Sequence, residues 1–305
     1  MGTVSEARSS HQTAHIFSVD VEEYFQVHAF EGTVDRSTWA SMPSRIAVGV
    51  DLLLDLLAAH EAKGTFFILG WIAERHAHLV RRISEAGHEI ASHGWWHRRV
   101  TELSREEFRE EVRASKALLE DITGKIVWGY RAPSFSITPS VSFAFDVLVE
   151  EGYRYDSSIF PIWRPGYGWR GATPTPHWRH GLAGSLIEFP IATSLWGPFR
   201  IPAGGGGYLR QFPLSIVQSA FREHSLARIP GVFYIHPWEL DPEQPRLRAG
   251  LLTRLRHYRG LHTTIGRLQR LLEDFSFTSV EHVLADGRML AALETSRPAP
   301  SAASI

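Results

Sequence analysis

The chain of 305 residues contains no cysteine. Disulfide bonds, thiolate metal sites and a cysteine nucleophile are therefore excluded, and any metal site has to be built from histidine and carboxylate side chains. The 16 histidines supply enough imidazole groups for a site of that kind.

An excess of charge of either sign is also lacking, because 32 basic residues face 33 acidic ones and the formal net charge is -1. This balance argues against a nucleic-acid partner, and no polybasic run indicates binding to an anionic membrane surface. No stretch reaches the ~18 consecutive apolar residues of a membrane span, and the polar start of the chain lacks the apolar core of a secretory signal. We therefore expect a cytoplasmic protein without a membrane span.

What the chain does contain is an alternation of short apolar strands with amphipathic helices. The strands are predicted at 15–20, 64–69, 89–92, 126–131, 153–156, 186–190, 231–236 and 278–280. The helices are predicted at about 44–62, up to 86, and at 104–122, 140–151, 214–224, 249–258 and 262–273. Such alternation predicts a parallel sheet with right-handed crossovers, and seven or so units favour a closed or nearly closed barrel.

The pattern contains no internal repeat and no linker, so a single α/β domain is the prediction. We expect tails without order at 1–14 and 291–305, a barrel over 15–240, and a C-terminal extension packed on it over 241–290. Two segments, 159–185 and the stretch around the glycine run Gly204–Gly207, are predicted to be irregular. Glycine serves close backbone approach and tight turns equally well, so the run predicts either a loop that contacts substrate or a turn.

Several predicted strands end in residues that carry chemistry. Asp20 ends the first strand, with Glu22 just beyond it, and the third strand delivers His93 with His97 four residues later. Arg131, Asp156 and His236 end three further strands. In parallel α/β barrels the active site lies at the carboxyl ends of the strands, so these side chains are predicted to converge on one rim.

Five short segments contain these residues: Asp20-x-Glu22, His93-Gly-Trp-Trp-His97, Arg131-Ala-Pro-Ser-Phe135, Tyr155-Asp156-Ser-Ser and Tyr234-Ile-His236. In this order the segments resemble the five motifs of the polysaccharide deacetylases, the NodB-like carbohydrate esterase superfamily. The surrounding sequence looks like the subgroup associated with exopolysaccharide biosynthesis in bacteria that have the exosortase system. The resemblance implies a distorted (β/α)7-type barrel with loop insertions and a C-terminal extension.

The resemblance further implies one divalent metal ion, commonly zinc and otherwise cobalt or nickel, held by two histidines and a carboxylate. His93 and His97 map onto the histidines. The usual first motif has adjacent aspartates, but here Val21 follows Asp20 and cannot ligate. Some relatives space the acidic pair by one residue, and on that pattern the resemblance implies that Glu22 is the third ligand. The period of a strand supports this, because residues two apart face the same side.

In the mechanism that the resemblance implies, the metal activates a water, Asp20 is the general base and His236 gives a proton to the leaving amine. Arg131 would hold the Asp20 carboxylate, and Asp156 would orient or tune His236. A backbone N–H near Phe135 would stabilise the oxyanion. Aromatic candidates for the pocket wall are Phe135, Trp95, Trp96 and Trp238.

The expected substrate is a polysaccharide or oligosaccharide that contains N-acetylhexosamine, and three alternatives stay open. The same barrel could act on a non-sugar amide such as a cyclic imide or ureide. A glycosidase would suit the acidic residues and Trp-rich loops, but it leaves the His-x3-His pair without a role. The third is a non-catalytic carbohydrate-binding protein, which the shifted first motif favours.

Overall fold

A parallel sheet curls into a distorted barrel in the computed structural model, which describes residues 13–162, 167–197 and 199–295. The strands are β1 His15–Val21, β2 Thr65–Ile68, β3 Glu89–Ser92, β4 Gly129–Tyr130, β5 Tyr155–Asp156, β6 His177–His180, β7 Ser185–Glu188, β8 Thr193–Trp196, β9 Phe199–Pro202, β10 Val232–Ile235 and β11 Phe277–Thr278. Their order in the sheet is β10-β1-β2-β3-β4-β5-β7-β6, and β11 also pairs with β1. Only β6 runs antiparallel to its neighbour in this sheet, and β8 and β9 form a separate hairpin.

The barrel closes between the continuation of β7 and β10 through isolated contacts instead of a full ladder. Ala192 donates its N–H to the Val232 carbonyl at 3.0 Å, and Tyr234 donates to the Gly204 carbonyl at 2.7 Å. Single bridges join Ile191 to Val232 and Gly205 to Tyr234. Seven parallel strands thus encircle the interior, which confirms the predicted distorted (β/α)7-type barrel.

Helices alternate with the strands and pack around the barrel. They are α1 Ile46–Ala59, α2 Gly70–Arg75, α3 Ala77–Glu85, α4 Arg105–Thr123, α5 Phe143–Glu150, α6 Gly206–Gln211, α7 Leu214–Ala227, α8 Leu251–Tyr258, α9 Thr264–Asp274, α10 Val280–Ala285 and α11 Arg288–Thr295. The start of α4 is as predicted, because Ser104 and Glu107 form a reciprocal capping box. Its end is also as predicted, with Gly124 in the left-handed conformation.

Strand alternation in β1 decides which side chains point into the barrel. Phe17, Val19 and Val21 pack outward in the apolar layer between sheet and helices, whereas Ile16 belongs to the separate apolar cluster inside the barrel. Asp20 lies four residues after Ile16 on the same strand, an even spacing, so it shares the inner face. The apolar interior ends at this level and the polar rim begins.

The part of the chain from β11 onward closes the amino-terminal end of the barrel. The strand β11 extends the sheet beside β1, and the backbone N–H of Val280 donates to Thr65 Oγ1 at 2.9 Å. The N–H of Glu281 donates to the buried carboxylate of Glu89, also at 2.9 Å. The other Glu89 oxygen accepts a bond from the Tyr155 hydroxyl at 2.7 Å.

Several predicted boundaries are wrong. The helix predicted up to 86 is two helices separated at His76, and the fourth strand is shortened to Gly129–Tyr130. The segment predicted as irregular at 159–185 contains β6, and the glycine run leads into α6. The helix Arg288–Thr295 covers the first residues of the segment 291–305 that was predicted to lack order. Residues 1–12 and 296–305 of the two predicted tails, and Trp163, lie outside the described residues.

No helix in the described ranges is both long enough and apolar enough to cross a bilayer.

Candidate active site

Three potential metal ligands meet at the carboxyl ends of β1 and β3. One ligand atom from each of Glu22, His93 and His97 lies within 4.8 Å of the others, and all three residues are buried. The Glu22 Oε2 atom is 2.7 Å from His97 Nε2, yet this buried oxygen has no partner in hydrogen-bond geometry. Two such atoms that lie close together without sharing a hydrogen bond are arranged as two ligands of one cation would be. The donor set therefore fits a divalent ion that prefers nitrogen and oxygen ligands.

The turn after β3 brings the two histidines together. Gly94 has a φ of +75°, a conformation that a glycine adopts without strain, and His97 itself has a φ of +53°. The Nδ1 atom of His93 bonds to the Arg131 carbonyl at 2.8 Å. This bond fixes the ring and leaves Nε2 for a ligand, as is usual for metal-binding histidines.

Arg131 fixes Asp20 next to these ligands. The guanidinium is completely buried and donates to Asp20 Oδ1 at 2.7 Å and to Ser18 Oγ at 2.8 Å. Two further bonds go to the carbonyl and hydroxyl oxygens of Ser157, at 3.1 and 2.8 Å. A buried charge with this many partners is fully compensated, so it holds Asp20 in one position. The second Asp20 oxygen is 3.9 Å from His236 Nε2.

His236 faces the site with one nitrogen and a buried carboxylate with the other. Its Nε2 is 3.5 Å from Glu22 Oε1, and its Nδ1 bonds to Glu239 Oε1 at 2.8 Å. Burial alone would favour the neutral ring, but Glu22 and Glu239 outweigh it and raise the pKa of His236 to about 9.

Glu239 is itself held by Arg210, whose Nε donates to Oε2 at 2.7 Å. Although burial opposes ionisation, Arg210 and His236 lower the pKa of Glu239 to about 2, so this group is a carboxylate. Neither Glu239 nor Arg210 is among the residues predicted from the sequence to belong to the site. The spacing of Glu239 three residues after His236, with Pro237 between them, is the capping-box pattern that could have indicated the contact.

The prediction that Asp156 orients or tunes His236 is wrong in this structure. Its neighbour Tyr155 points into the barrel, so Asp156 points outward, as alternation on a strand requires. There its carboxylate accepts bonds from the Ser158 hydroxyl at 2.5 Å and from the Ser158 N–H at 3.2 Å. Burial raises the pKa of Asp156. Burial and the neighbouring Asp156 carboxylate both raise the pKa of Glu188.

The glycine run allows the contact between Glu239 and His236. A Cβ atom on Gly206 would lie 2.4 Å from Glu239 Oε1, and one on Gly205 would lie 2.5 Å from the ring of Tyr234. A Cβ on Gly204 would lie 2.5 Å from the Val232 carbonyl oxygen. The run therefore serves close packing against β10 and the segment after it.

The aromatic candidates differ in how close they lie to the ligands. Trp238 is buried and donates its indole N–H to Glu22 Oε1 at 3.2 Å, while Phe135 packs edge-on against Tyr234 at 4.8 Å. Trp96 is 38% exposed and has no ring contact among the described residues. Trp95 packs on the α2 start, where a Cβ on Gly70 would lie 2.4 Å from its ring.

The backbone near Phe135 is unusual. Ser134 and Phe135 both have φ values in the left-handed region, 55° and 52°. The Phe135 N–H donates to the Ala132 carbonyl at 3.1 Å. The oxyanion donor predicted near Phe135 therefore stays a prediction for a neighbouring backbone N–H.

Comparison with known proteins supports the resemblance found in the sequence. Residues 38–155 match the polysaccharide deacetylase family, and residues 157–285 match a domain of unknown function (DUF3473). A peptidoglycan deacetylase of Helicobacter pylori is 29% identical over 112 residues, which is 37% of this chain and 37% of that protein. A peptidoglycan-N-acetylglucosamine deacetylase of Bacillus cereus is 31% identical over 109 residues, 34% of this chain and 38% of that protein. The chain thus aligns with less than half of the length of these curated relatives.

Solved structures confirm the fold. A Mycobacterium smegmatis protein assigned to the polysaccharide deacetylases superposes with a TM-score of 0.63 at 21% identity, covering 93% of both chains. An allantoinase superposes with a TM-score of 0.61 at 17% identity, covering 92% of both chains. Residues 38–155 are thus similar in sequence to the polysaccharide deacetylases, and the chain shares its overall fold with both solved structures.

Proposed function

We propose that this protein is a metal-dependent hydrolase that removes N-acetyl groups from N-acetylhexosamine units of a glycan. The observation that carries the proposal is the convergence of a buried ligand set with an Arg-bound aspartate and a histidine on one rim. The relatives described above are named for deacetylation of peptidoglycan, which supports the reaction type. The finer assignment to exopolysaccharide biosynthesis is part of the proposal and depends on the sequence resemblance.

Glu22, His93 and His97 would hold the ion. When bound, a divalent ion acts as a Lewis acid that polarises a carbonyl and lowers the pKa of water. Indole donation from Trp238 to Glu22 Oε1 orients the carboxylate so that its other oxygen, Oε2, faces His97 Nε2.

Asp20 is the proposed general base. Arg131 occupies its Oδ1, so Oδ2 is the atom that accepts the proton from the attacking water. Hydrogen bonds to Ser18 and Ser157 fix Arg131, and Arg131 in turn orients the Asp20 carboxylate.

His236 is the proposed general acid. Its Nδ1–H is donated to Glu239, which leaves the proton on Nε2 facing the site for the leaving amine. Glu239 is not one of the proposed ligands, so its charge continues to favour the imidazolium after Glu22 is committed to the ion.

Deacetylation of an N-acetylglucosamine oligomer tests the proposal, with acetate and free amine measured together. Chelation should abolish release, and zinc, cobalt or nickel should restore it. His93→Ala should lose both bound metal and turnover, whereas Asp20→Asn should retain metal and lose turnover. Full activity of Asp20→Asn would show that the base is misassigned, and a metal-loaded protein without acetate release would overturn the function.

A further inference from the structure

The C-terminal segment carries a strongly basic surface. Residues 244–272 contain seven arginines and no aspartate or glutamate, although the whole chain has a formal charge of -1. Five of these arginines are exposed and clustered around α8: Arg246, Arg248, Arg254, Arg256 and Arg259. None of the five forms an ion pair within the described residues. No run of consecutive basic residues marks this surface in the sequence, because leucines and small residues separate the arginines.

Exposed leucines lie among these arginines. Leu251, Leu252 and Leu255 are 71%, 70% and 51% exposed. Their spacing puts them on one face of α8, while the opposite face is anchored by the buried His257, which stacks on Trp238 at 4.1 Å. The next long helix, α9, buries its leucines instead. We refer to residues 246–259 as the Leu-Arg face.

The combination of charge and apolar side chains limits what can cover the Leu-Arg face. A soluble polyanion would neutralise the arginines but leave three leucines in water, which soluble proteins avoid as a cluster. A second copy that met the same face would place like charges against each other. An anionic bilayer accepts both, because its headgroups pair with arginines and its acyl boundary accepts leucines.

We propose that the Leu-Arg face docks this protein on the surface of an anionic phospholipid bilayer. The face lies at the same end of the barrel as the candidate active site. His257 of α8 contacts Phe30, which follows β1, at 4.7 Å between ring centroids, and Trp238 links the same histidine to Glu22. Docking therefore holds the site next to the membrane, within reach of a glycan carried there. The docking itself is independent of the proposed hydrolase activity.

Vesicle sedimentation of the full chain tests this proposal. We expect binding to vesicles of phosphatidylcholine and phosphatidylglycerol in equal parts, none to pure phosphatidylcholine, and weakening as salt rises. Each arginine near such a surface strengthens partitioning about fivefold, so a triple exchange should weaken it about 100-fold. That variant carries Arg248→Gln, Arg254→Gln and Arg256→Gln. Each leucine that inserts into the acyl boundary should strengthen partitioning onto the vesicles about tenfold or more. The second variant carries Leu251→Ser, Leu252→Ser and Leu255→Ser.

Matched controls change the same residue types elsewhere on the surface. The leucine control combines Leu182→Ser with Leu226→Ser, at positions that are 101% and 87% exposed. The charge control exchanges three arginines of α4 that pair with Glu150 and Glu151, namely Arg105→Gln, Arg109→Gln and Arg113→Gln. Both controls should bind anionic vesicles like the unmodified chain.

Four results would overturn the proposal. The first two are a lack of binding to anionic vesicles and equally strong binding to pure phosphatidylcholine. The other two are equal losses of binding in the control variants, and binding of the protein to heparin but not to vesicles. A lipid-free dimer that the leucine variant dissociates would assign the face to a second copy instead. Acetate release from a soluble oligomer by the leucine variant, measured in parallel, separates loss of docking from loss of the proposed hydrolase function.

Discussion

Glu239→Gln is the substitution that most directly tests how His236 works. It removes a buried negative charge but keeps the size and shape of the side chain. The amide oxygen can still accept the Nδ1–H of His236, now 2.8 Å from Oε1, while the amide NH2 replaces the oxygen that accepts from Arg210 at 2.7 Å. The change therefore alters the charge beside the imidazole and the anchoring by Arg210.

The expected loss follows from the charge that is removed. An opposite charge at hydrogen-bond distance shifts a pKa by ~1–3 units, so His236 should titrate below its present value of about 9. Because general acid catalysis contributes ~10²–10⁴-fold, partial loss of the proton should lower kcat on an N-acetylated oligomer by about 10- to 100-fold. KM should change by less than about twofold, since Glu239 is buried behind His236.

Two substrates distinguish an effect on proton donation from general damage. Hydrolysis of the acetamide of N-acetylglucosamine expels an amine, which must be protonated as it leaves. Hydrolysis of a nitrophenyl acetate ester expels nitrophenolate, a stable anion that needs little or no acid catalysis. We therefore expect Glu239→Gln to impair the amide reaction and to leave the ester reaction nearly unchanged.

Asp156→Asn supplies the matched control, because it neutralises the carboxylate that sequence reasoning had assigned to this role. It should keep both activities, since Asp156 points away from the barrel interior toward Ser158 and Glu188. Equal losses of amide and ester hydrolysis in Glu239→Gln would reduce Glu239 to a structural role. A loss confined to Asp156→Asn would refute the assignment altogether.

Three further expectations concern the surroundings of the site. Trp238→Phe removes the indole N–H donated to the carboxylate ligand, so metal affinity should fall about 10- to 100-fold in chelator competition, and unchanged affinity would contradict that role. Gly206→Ala would put a Cβ 2.4 Å from Glu239 Oε1 and should lower kcat on the amide substrate, whereas Gly207→Ala, which has nothing within 4 Å, should not. Burial raises the pKa of Glu89 from 4.5 to about 7, so the unfolded chain loses this proton first and stability declines as pH rises from about 4.5 to about 7. At alkaline pH this decline amounts to about 3 kcal/mol of unfolding free energy, and Glu89→Gln should abolish it. Denaturant unfolding with the same pH dependence in both proteins would contradict this expectation.

The sequence by itself determined the parts of this protein that depend on local periodicity. Alternation of apolar strands with amphipathic helices was enough to predict the barrel, and the capping pattern from Ser104 to Gly124 was enough to bound α4. The ordered motifs that resemble the polysaccharide deacetylases implied Glu22, His93 and His97 as ligands, and the structure brings these three residues together.

Only the tertiary structure decided which distant groups support those residues. Asp156 and Glu239 were both carboxylates within reach of a strand end, and choosing between them required knowing which face of β5 is inside the barrel. Arg210 contacts Glu239 across 29 residues, and His257 stacks beneath Trp238 from the C-terminal segment. The arginines of the Leu-Arg face can be counted in the sequence, but the exposure of its three leucines is a result of packing. Sequence periodicity reports which residues share a face, but it does not report what that face meets.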